Sequence, residues 1–312
     1  GDGDAATVEI TGGQLSLIAK DYIHSSNDEY QYVPINIDAK AVSADLKGNG
    51  IIYLYTSQNI TIENIVSKSG LIAVHSEGDV TVSNLEAADI QIKSEKDIKI
   101  ESIIAPQDND SHIWLNADGA IEGDGTEAVE ITGGVLSLSS AGGIDVGTAV
   151  VSISAVTTGS GAVVIEESDG VELKSVVAAD GLISVSAGGD LMATKVESTT
   201  NSAGNDVTLA TSAGGIQLVS VSVGELGDMS VNSAGAITED GDAATVVSGG
   251  GLSLSSAGGI DVDTAVVSIS AVTTGSGAVV IEESDGLELK SVVASDGSIS
   301  VSAGGSMVAT KV

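Results

Sequence analysis

Two groups of acidic residues have the composition of a glycosidase site. Glu166 and Glu167 are adjacent, Asp169 follows two residues later, and the same pattern returns at residues 282–285. Hydrolysis of a glycosidic bond needs two carboxyl groups held at a defined separation. Adjacent residues on a strand point to opposite faces, however, and neither copy has a basic or aromatic platform for a sugar. A polysaccharide lyase or hydrolase is therefore the weaker interpretation, and we expect no enzymatic activity.

Two pairs of aspartates could hold a calcium ion at a chain corner. Asp2 with Asp4, and Asp240 with Asp242, each flank a glycine, and carboxylates with backbone carbonyls are the ligands that Ca²⁺ prefers. The middle copy has only Asp124 at this place, and the repeated Gly-Gly-x-Gly-x-Asp calcium motif is absent. Calcium is a candidate ligand, but an ordinary role in turns is favoured. No other cofactor or metal site is predicted.

Three further side chains suggest chemistry only weakly. His75, His112 and Trp114 are each alone within their own segment of the pattern, so we expect them to point outward with structural roles, and no histidine pair can hold a metal. Thr61 and Thr81 could align as the threonine rank of an ice-binding surface. The corresponding positions at Lys99 and Gln217 interrupt that rank.

The elements that carry these residues belong to a long internal repeat. Residues 135–196 return almost unchanged as residues 251–312, and the phrase at residues 129–134 also occurs at residues 8–13. Close self-similarity at a long period indicates a repeat array. We therefore predict one continuous solenoid over residues 1–312, with long repeats at approximately 1–120, 121–236 and 237–312.

Within each repeat, short apolar-alternating segments predict strands. Val163 and Ile165 precede Val171 and Leu173 by about eight residues, and such pairs recur about every twenty residues. The chain has no Phe and only one Trp, so β-branched and small residues must fill its interior. The prediction is an all-β, right-handed parallel β-helix (β-solenoid) with about 20 residues per rung, one rung being one circuit of the chain.

Two local features follow from this architecture. Apolar residues of successive rungs, such as Ile183, Val207 and Met229, should stack along one interior face. Glycine pairs, as at residues 188–189 and 214–215, should form the corners, where the chain needs a sharp bend or a positive φ.

The pattern blurs over residues 18–50. This segment holds most of the tyrosines and one of the two prolines, and it predicts an insertion or a wide loop at one corner. The residues that mark it are Tyr22, His24, Tyr30, Tyr32 and Pro34.

Charge and composition exclude several partners. The net charge is −33, carried by 44 acidic residues against 11 basic ones, and every basic residue is a lysine. Such a chain cannot neutralise phosphates, so nucleic acid is not an expected partner. No apolar run approaches the length of a membrane span. The chain has no cysteine, and hence no disulfide or thiolate metal site.

The segment at residues 181–191, Gly-Leu-Ile-Ser-Val-Ser-Ala-Gly-Gly-Asp-Leu, resembles the roughly twenty-residue repeats of filamentous haemagglutinin-type bacterial surface adhesins, which are secreted by a two-partner system. The resemblance implies an extracellular or cell-surface fibre used in attachment. It carries over no catalytic residues.

We therefore expect a structural or adhesive section of a large exported repeat protein, with a polysaccharide-binding or polysaccharide-degrading β-helix as the alternative. Expected partners are neighbouring copies, adjoining repeats of a longer chain, cell-surface glycans or another cell. Neither end of the sequence looks like the cap of a solenoid, which favours a longer native protein.

Overall fold

The computed structural model describes residues 10–19, 25–26, 32–46, 50–126, 129–241 and 246–312. The chain divides into two compact units, Gly1–Val151 and Ser152–Val312. In the described residues all regular structure is β, and within each unit parallel strands about 20 residues apart stack as a β-solenoid. The predicted fold class is confirmed. Continuity over residues 1–312 and the three repeat boundaries stay predictions.

The strands of the first unit follow one another around each rung. They are β1 (Ile10–Ala19), β2 (Ser25–Ser26), β3 (Tyr32–Val33), β4 (Ile35–Leu46), β5 (Ile51–Thr56), β6 (Ile60–Ser76), β7 (Val80–Val82), β8 (Leu85–Ser94), β9 (Ile98–Ile100), β10 (Ile103–Ile104), β11 (His112–Ala117), β12 (Ile121–Gly123) and β13 (Ile131–Ser140), and β14 (Ile144–Thr157) contains the boundary.

The second unit continues the same type of element. Its strands are β15 (Val163–Glu167), β16 (Val171–Ala178), β17 (Ile183–Ala187), β18 (Leu191–Ala193), β19 (Val196–Ser198), β20 (Val207–Thr211), β21 (Ile216–Leu218), β22 (Ser220–Ser222), β23 (Met229–Ser233), β24 (Ile237–Glu239), β25 (Val246–Ser256), β26 (Ile260–Ser276), β27 (Val279–Glu283), β28 (Leu287–Asp296), β29 (Ile299–Ala303) and β30 (Met307–Ala309). Nowhere in the described ranges is there a helix long and apolar enough to cross a membrane.

Apolar side chains fill the interior in stacks that run from rung to rung. Ile183 pairs in register with Val207, and Val207 with Met229, and all three side chains are buried. The predicted stacking of these residues is confirmed. Each buried large aliphatic side chain contributes about 1.5 to 3 kcal/mol, and a slip of one residue would turn a whole stack outward.

The long repeat is not a whole number of rungs. Five pairing steps lead from Val163 to Ile269, whereas the copy of Val163 is Val279, ten residues further along. Val279 instead lies in the stack that begins at Val171 and passes through Ile237. One repeat therefore spans about five and a half rungs, and equivalent residues lie in different stacks.

Buried hydroxyl groups complete the corners. Ser94 is buried at the end of β8; its Oγ donates to the Gly78 carbonyl of the preceding rung at 2.8 Å and accepts the Lys96 N–H at 3.0 Å. Ser76 and Ser256 make the same pair of bonds at their own corners. These bonds satisfy backbone groups that would otherwise be buried without partners.

Glycine is required at the corners for two different reasons. Gly214 has φ +80°, a left-handed conformation that L side chains rarely adopt. Gly188 has an ordinary φ, but a Cβ there would lie 2.0 Å from the Ser168 carbonyl oxygen of the preceding rung. Positive φ thus explains the glycine at residue 214, as predicted. At residue 188 the close approach of the preceding rung leaves no space for a side chain.

The irregular segment contains an inserted hairpin. Strands β2 and β3 are antiparallel, with Ser26 opposite Tyr32, and they lie between β1 and β4, which pair in parallel. This agrees with the predicted insertion. Tyr22, His24 and Tyr30 lie outside the described residues.

A matched pair of substitutions tests the interior stacks. Ile183 is fully buried, whereas its repeat copy Ile299 is 36% exposed. Ile183→Ala should destabilise the surrounding rungs by about 2 to 5 kcal/mol, and Ile299→Ala by clearly less, because only the first leaves an internal cavity. Hydrogen exchange measures the effect, on peptides from β15 to β23 for the first variant and from β27 to β30 for the second. Equal effects of the two substitutions would contradict the assigned stacks.

Engineered cysteines test the repeat phase, since the native chain has none. Asp261 is the register neighbour of Val280, at the strand spacing of about 4.8 Å, so Asp261→Cys with Val280→Cys should form a disulfide. Ser270→Cys with Val280→Cys should not, because Ser270 pairs with Ser291 instead. Mass spectrometry after mild oxidation distinguishes the two variants. A disulfide in the second variant alone would contradict the finding that one repeat spans about five and a half rungs.

Candidate functional site

The outer face of β5, β6, β8 and β11 collects aromatic and polar side chains from four successive rungs. Tyr53 is the register neighbour of Ala73, Ala73 of Gln91, and Gln91 of Trp114. Alternation along each strand places these residues outward, between buried neighbours such as Ile52 and Leu54. Parallel pairing therefore brings together residues that are far apart in sequence.

A second line of side chains runs beside the first. Tyr55, His75 and Lys93 are register neighbours. The Tyr55 and His75 rings meet edge to face, with centroids 5.3 Å apart and an interplanar angle of 83°. The Tyr55 hydroxyl donates a hydrogen bond to the Glu77 carboxylate, and this bond, with burial and the nearby negative charge, raises the pKa of Tyr55. The tyrosine therefore stays a neutral donor across the physiological range.

These lines enclose a shallow depression of about 300 Å³. We call it the aromatic groove and define it by six side chains, namely Tyr53, Ala73, His75, Gln91, Lys93 and Trp114. Ile51 and Leu71 also line it. Trp114 is 39% exposed, an unusual state for the one tryptophan of the chain.

His75 has an unsatisfied nitrogen. Its Nε2 is buried, has no hydrogen-bond partner, and lies 3.8 Å from Glu95 Oε1, which is beyond hydrogen-bond distance. A buried polar atom without a partner is energetically costly. His112, by contrast, is occupied: its Nδ1 lies 3.0 Å from the Asp110 carbonyl, and its backbone N–H donates to Asp89 Oδ1 at 3.1 Å.

The sequence interpretation separated the members of this site. The sequence alone predicts structural roles for His75 and Trp114, because each is alone in its own rung, and it does not single out Tyr53. The signal that the sequence lacks is register: residues 53, 73, 91 and 114 are successive register neighbours on one outer face.

A second depression, of about 720 Å³, lies on another face of the first unit. Its lining includes the exposed Lys40 and Lys99, and Thr61 pairs with Thr81, which pairs with Lys99. The two threonines therefore align, and the lysine interrupts them, as the sequence predicted.

The acidic and amide side chains of this second depression form hydrogen bonds at the corners of the rungs. Asn59 Nδ2 donates to Asp79 Oδ2 at 2.8 Å, and Asp97 Oδ1 accepts the Ala120 N–H at 2.8 Å. These side chains link the corners of successive rungs, so their bonds are structural.

The paired acids of the long repeat do not form a two-carboxyl site. Glu166 is exposed and Glu167 is buried, and Glu282 and Glu283 divide in the same way. Glu283 Oε2 accepts bonds from Thr264 Oγ1 at 2.8 Å and from the Val266 N–H at 3.1 Å. The buried member is thus a structural acceptor, as the alternation of strand residues predicted.

One buried carboxyl is electrostatically disfavoured. Glu130 is 4% exposed, and its Oε2 accepts the Gly147 N–H at 2.5 Å. Burial raises the pKa of Glu130 above its ordinary value, although the bonds from Gly147 and from its own backbone oppose the shift.

The calcium candidates fall largely outside the described residues. Asp2, Asp4 and Asp242 are not described, and Asp240 is exposed. Among residues that the structure does describe, no group of three His, Asp or Glu side chains could hold a metal ion. Burial and the nearby Asp263 raise the pKa of the neighbouring Glu239. The expected ordinary role of these aspartates in turns, with calcium as the less favoured candidate, stays a prediction.

Comparison of the chain with protein-family models, with curated proteins and with solved structures finds no match. The assignment of function therefore depends on the geometry of the chain itself.

The raised pKa of Glu130 predicts a pH dependence. Protonated Glu130 is favoured in the folded state, so its contribution is fully present below the unfolded pKa and is lost as pH rises through the folded pKa. Glu130→Gln should therefore gain stability relative to the native chain between about pH 4 and pH 7. Urea unfolding across this range measures the difference. Glu122→Gln, at an exposed position, controls for net charge, and an identical profile for both variants would contradict the assignment.

Proposed function

We propose that the chain is a structural and adhesive section of a large exported repeat protein, displayed at the cell surface as a fibre. It resembles filamentous haemagglutinin-type adhesins in its repeat pattern, and it has no proposed catalytic role.

The observation that carries the proposal is the regularity of rung stacking through the long repeat. Residues from Val163 to Leu289 stack through successive register pairs, although the equivalent residues of the two copies lie in different stacks. The same repeated sequence thus builds rungs in two different stacks. A sequence with this property is suited to lengthening a solenoid by further copies. An active site, by contrast, is needed once and requires its own constellation of residues.

The surface chemistry is compatible with the proposed extracellular role. A net charge of −33 keeps such a fibre dissolved through mutual repulsion, and the lack of cysteine leaves the redox compartment open. Neighbouring copies or adjoining repeats are the proposed partners along the fibre, and another cell or its surface glycans are the proposed partners across it.

The polysaccharide-degrading alternative receives less support. Glycosidase chemistry needs two carboxyl groups facing one substrate. In both copies one member of the acid pair is buried and bonded within the fold while the other is exposed. The polysaccharide-binding alternative has a specific observation in its favour, which is the aromatic groove.

Immunogold microscopy of intact source cells tests the proposal. Antibodies raised against the chain should label long thin filaments outside unpermeabilised cells, and external protease should remove the label. Labelling only after permeabilisation would overturn the proposal. An antibody against an internal protein of the same cells is the control for membrane integrity.

A further inference from the structure

The outer face that carries the aromatic groove departs from the composition of the rest of the chain. Aromatic residues make up 2% of the sequence, yet two of the five tyrosines and the single tryptophan lie on this face. Outward positions of the second unit are instead mostly small or charged, such as Ser184, Thr208 and Ser230. Exposed aromatic side chains that break a local rule mark interaction sites.

The groove has the shape of a site for a linear ligand. Tyr53 and Trp114 are three rung spacings apart, which is about 14 Å. The small Ala73 side chain lies between them and forms the floor. A volume of about 300 Å³ is at the lower end of the range of ligand-binding sites.

The chemistry of the lining matches a pyranose chain. Such a sugar has faces of C–H groups and a rim of hydroxyl groups, and the negative face of an aromatic ring attracts C–H groups that carry partial positive charge. Between the two aromatic ends lie Gln91, Lys93 and His75, which can exchange hydrogen bonds with hydroxyl groups. The unpartnered His75 Nε2 is one polar atom that a hydroxyl group could satisfy after a small rearrangement.

The charges near the groove select against acidic sugars. The carboxylate of Glu77 bonds to Tyr55, that of Glu95 lies near His75, and Lys93 is the one cation in the lining of the groove. The overall charge of −33 adds a repulsive field for anions.

From this geometry we propose that the aromatic groove binds an uncharged polysaccharide, with Tyr53 and Trp114 stacking against sugar rings and Gln91, Lys93 and His75 bonding to hydroxyl groups. This inference rests on the proposed adhesive function and gives it a ligand class and a site.

Because Trp114 is the single tryptophan, its fluorescence reports on the groove directly. Titration of the full chain with hydroxyethyl cellulose, laminarin and mannan should give a saturable change in tryptophan emission with at least one of them, while heparin should give none at the same concentration. No change with any uncharged polymer, or an equal response to heparin, would overturn the proposal.

Variants assign the binding to the groove. Tyr53→Ala should weaken binding about tenfold or more, as expected for the loss of a stacked aromatic anchor, and the exposed Gln91→Ala should weaken it several-fold with an unchanged melting temperature. Met192→Ala, which removes an exposed apolar side chain of the second unit, should bind as the native chain does. Unchanged affinity in both groove variants would refute the assignment, even if Tyr53→Ala lowered stability.

Self-association is the competing occupant. Sedimentation of the native chain and of Tyr53→Ala without glycan should give the same monomeric mass; a dimer that the substitution abolishes would assign the groove to a second copy and overturn the proposal. Immunogold labelling distinguishes a failure of this inference from a failure of the proposed function. Surface filaments without glycan binding would remove only this inference, whereas internal labelling would remove the adhesive function even if the groove bound glucan.

Discussion

Parallel pairing in fixed register is the constraint on which each unit depends. Along the paired strands, inward side chains lie against the equivalent inward side chains of the neighbouring rungs, so the buried positions of one strand dictate those of the next. The interior is therefore built from stacks of apolar residues, mostly Val, Ile and Leu, and one such stack contains Ile183, Val207 and Met229. The same pairing places outward residues in lines along the surface. The pairing that orders the buried side chains thus also determines which outward side chains are neighbours.

The corners are where this arrangement is most demanding, because the chain must bend while its backbone polar groups remain close to a dry interior. Hydroxyl groups at strand ends, as at Ser76, Ser94 and Ser256, bond to both their own corner and the preceding one. Buried carboxylates such as Glu283 do the same at other corners. Apolar stacks and polar corner ladders together explain why a chain with few large side chains can be so regular.

The two units carry different outward side chains. Because the long repeat spans about five and a half rungs, the second copy of a residue lies in a different stack from the first. Repeated surface residues therefore occupy more than one face of the second unit. In the first unit, the aromatic groove occurs at one place on one face. The second unit is thus a repeated scaffold, whereas the first unit carries the candidate binding site.

The sequence by itself determined the fold class, because strand alternation, glycine corners and a period of about twenty residues leave few architectures open. It also determined that Glu166 and Glu167 face opposite ways, since that follows from strand geometry alone. Only the tertiary structure decided which residues are neighbours across rungs. Corner lengths vary from rung to rung, so spacing in sequence does not fix register, and both the half-rung phase of the repeat and the meeting of Tyr53, His75 and Trp114 depend on it.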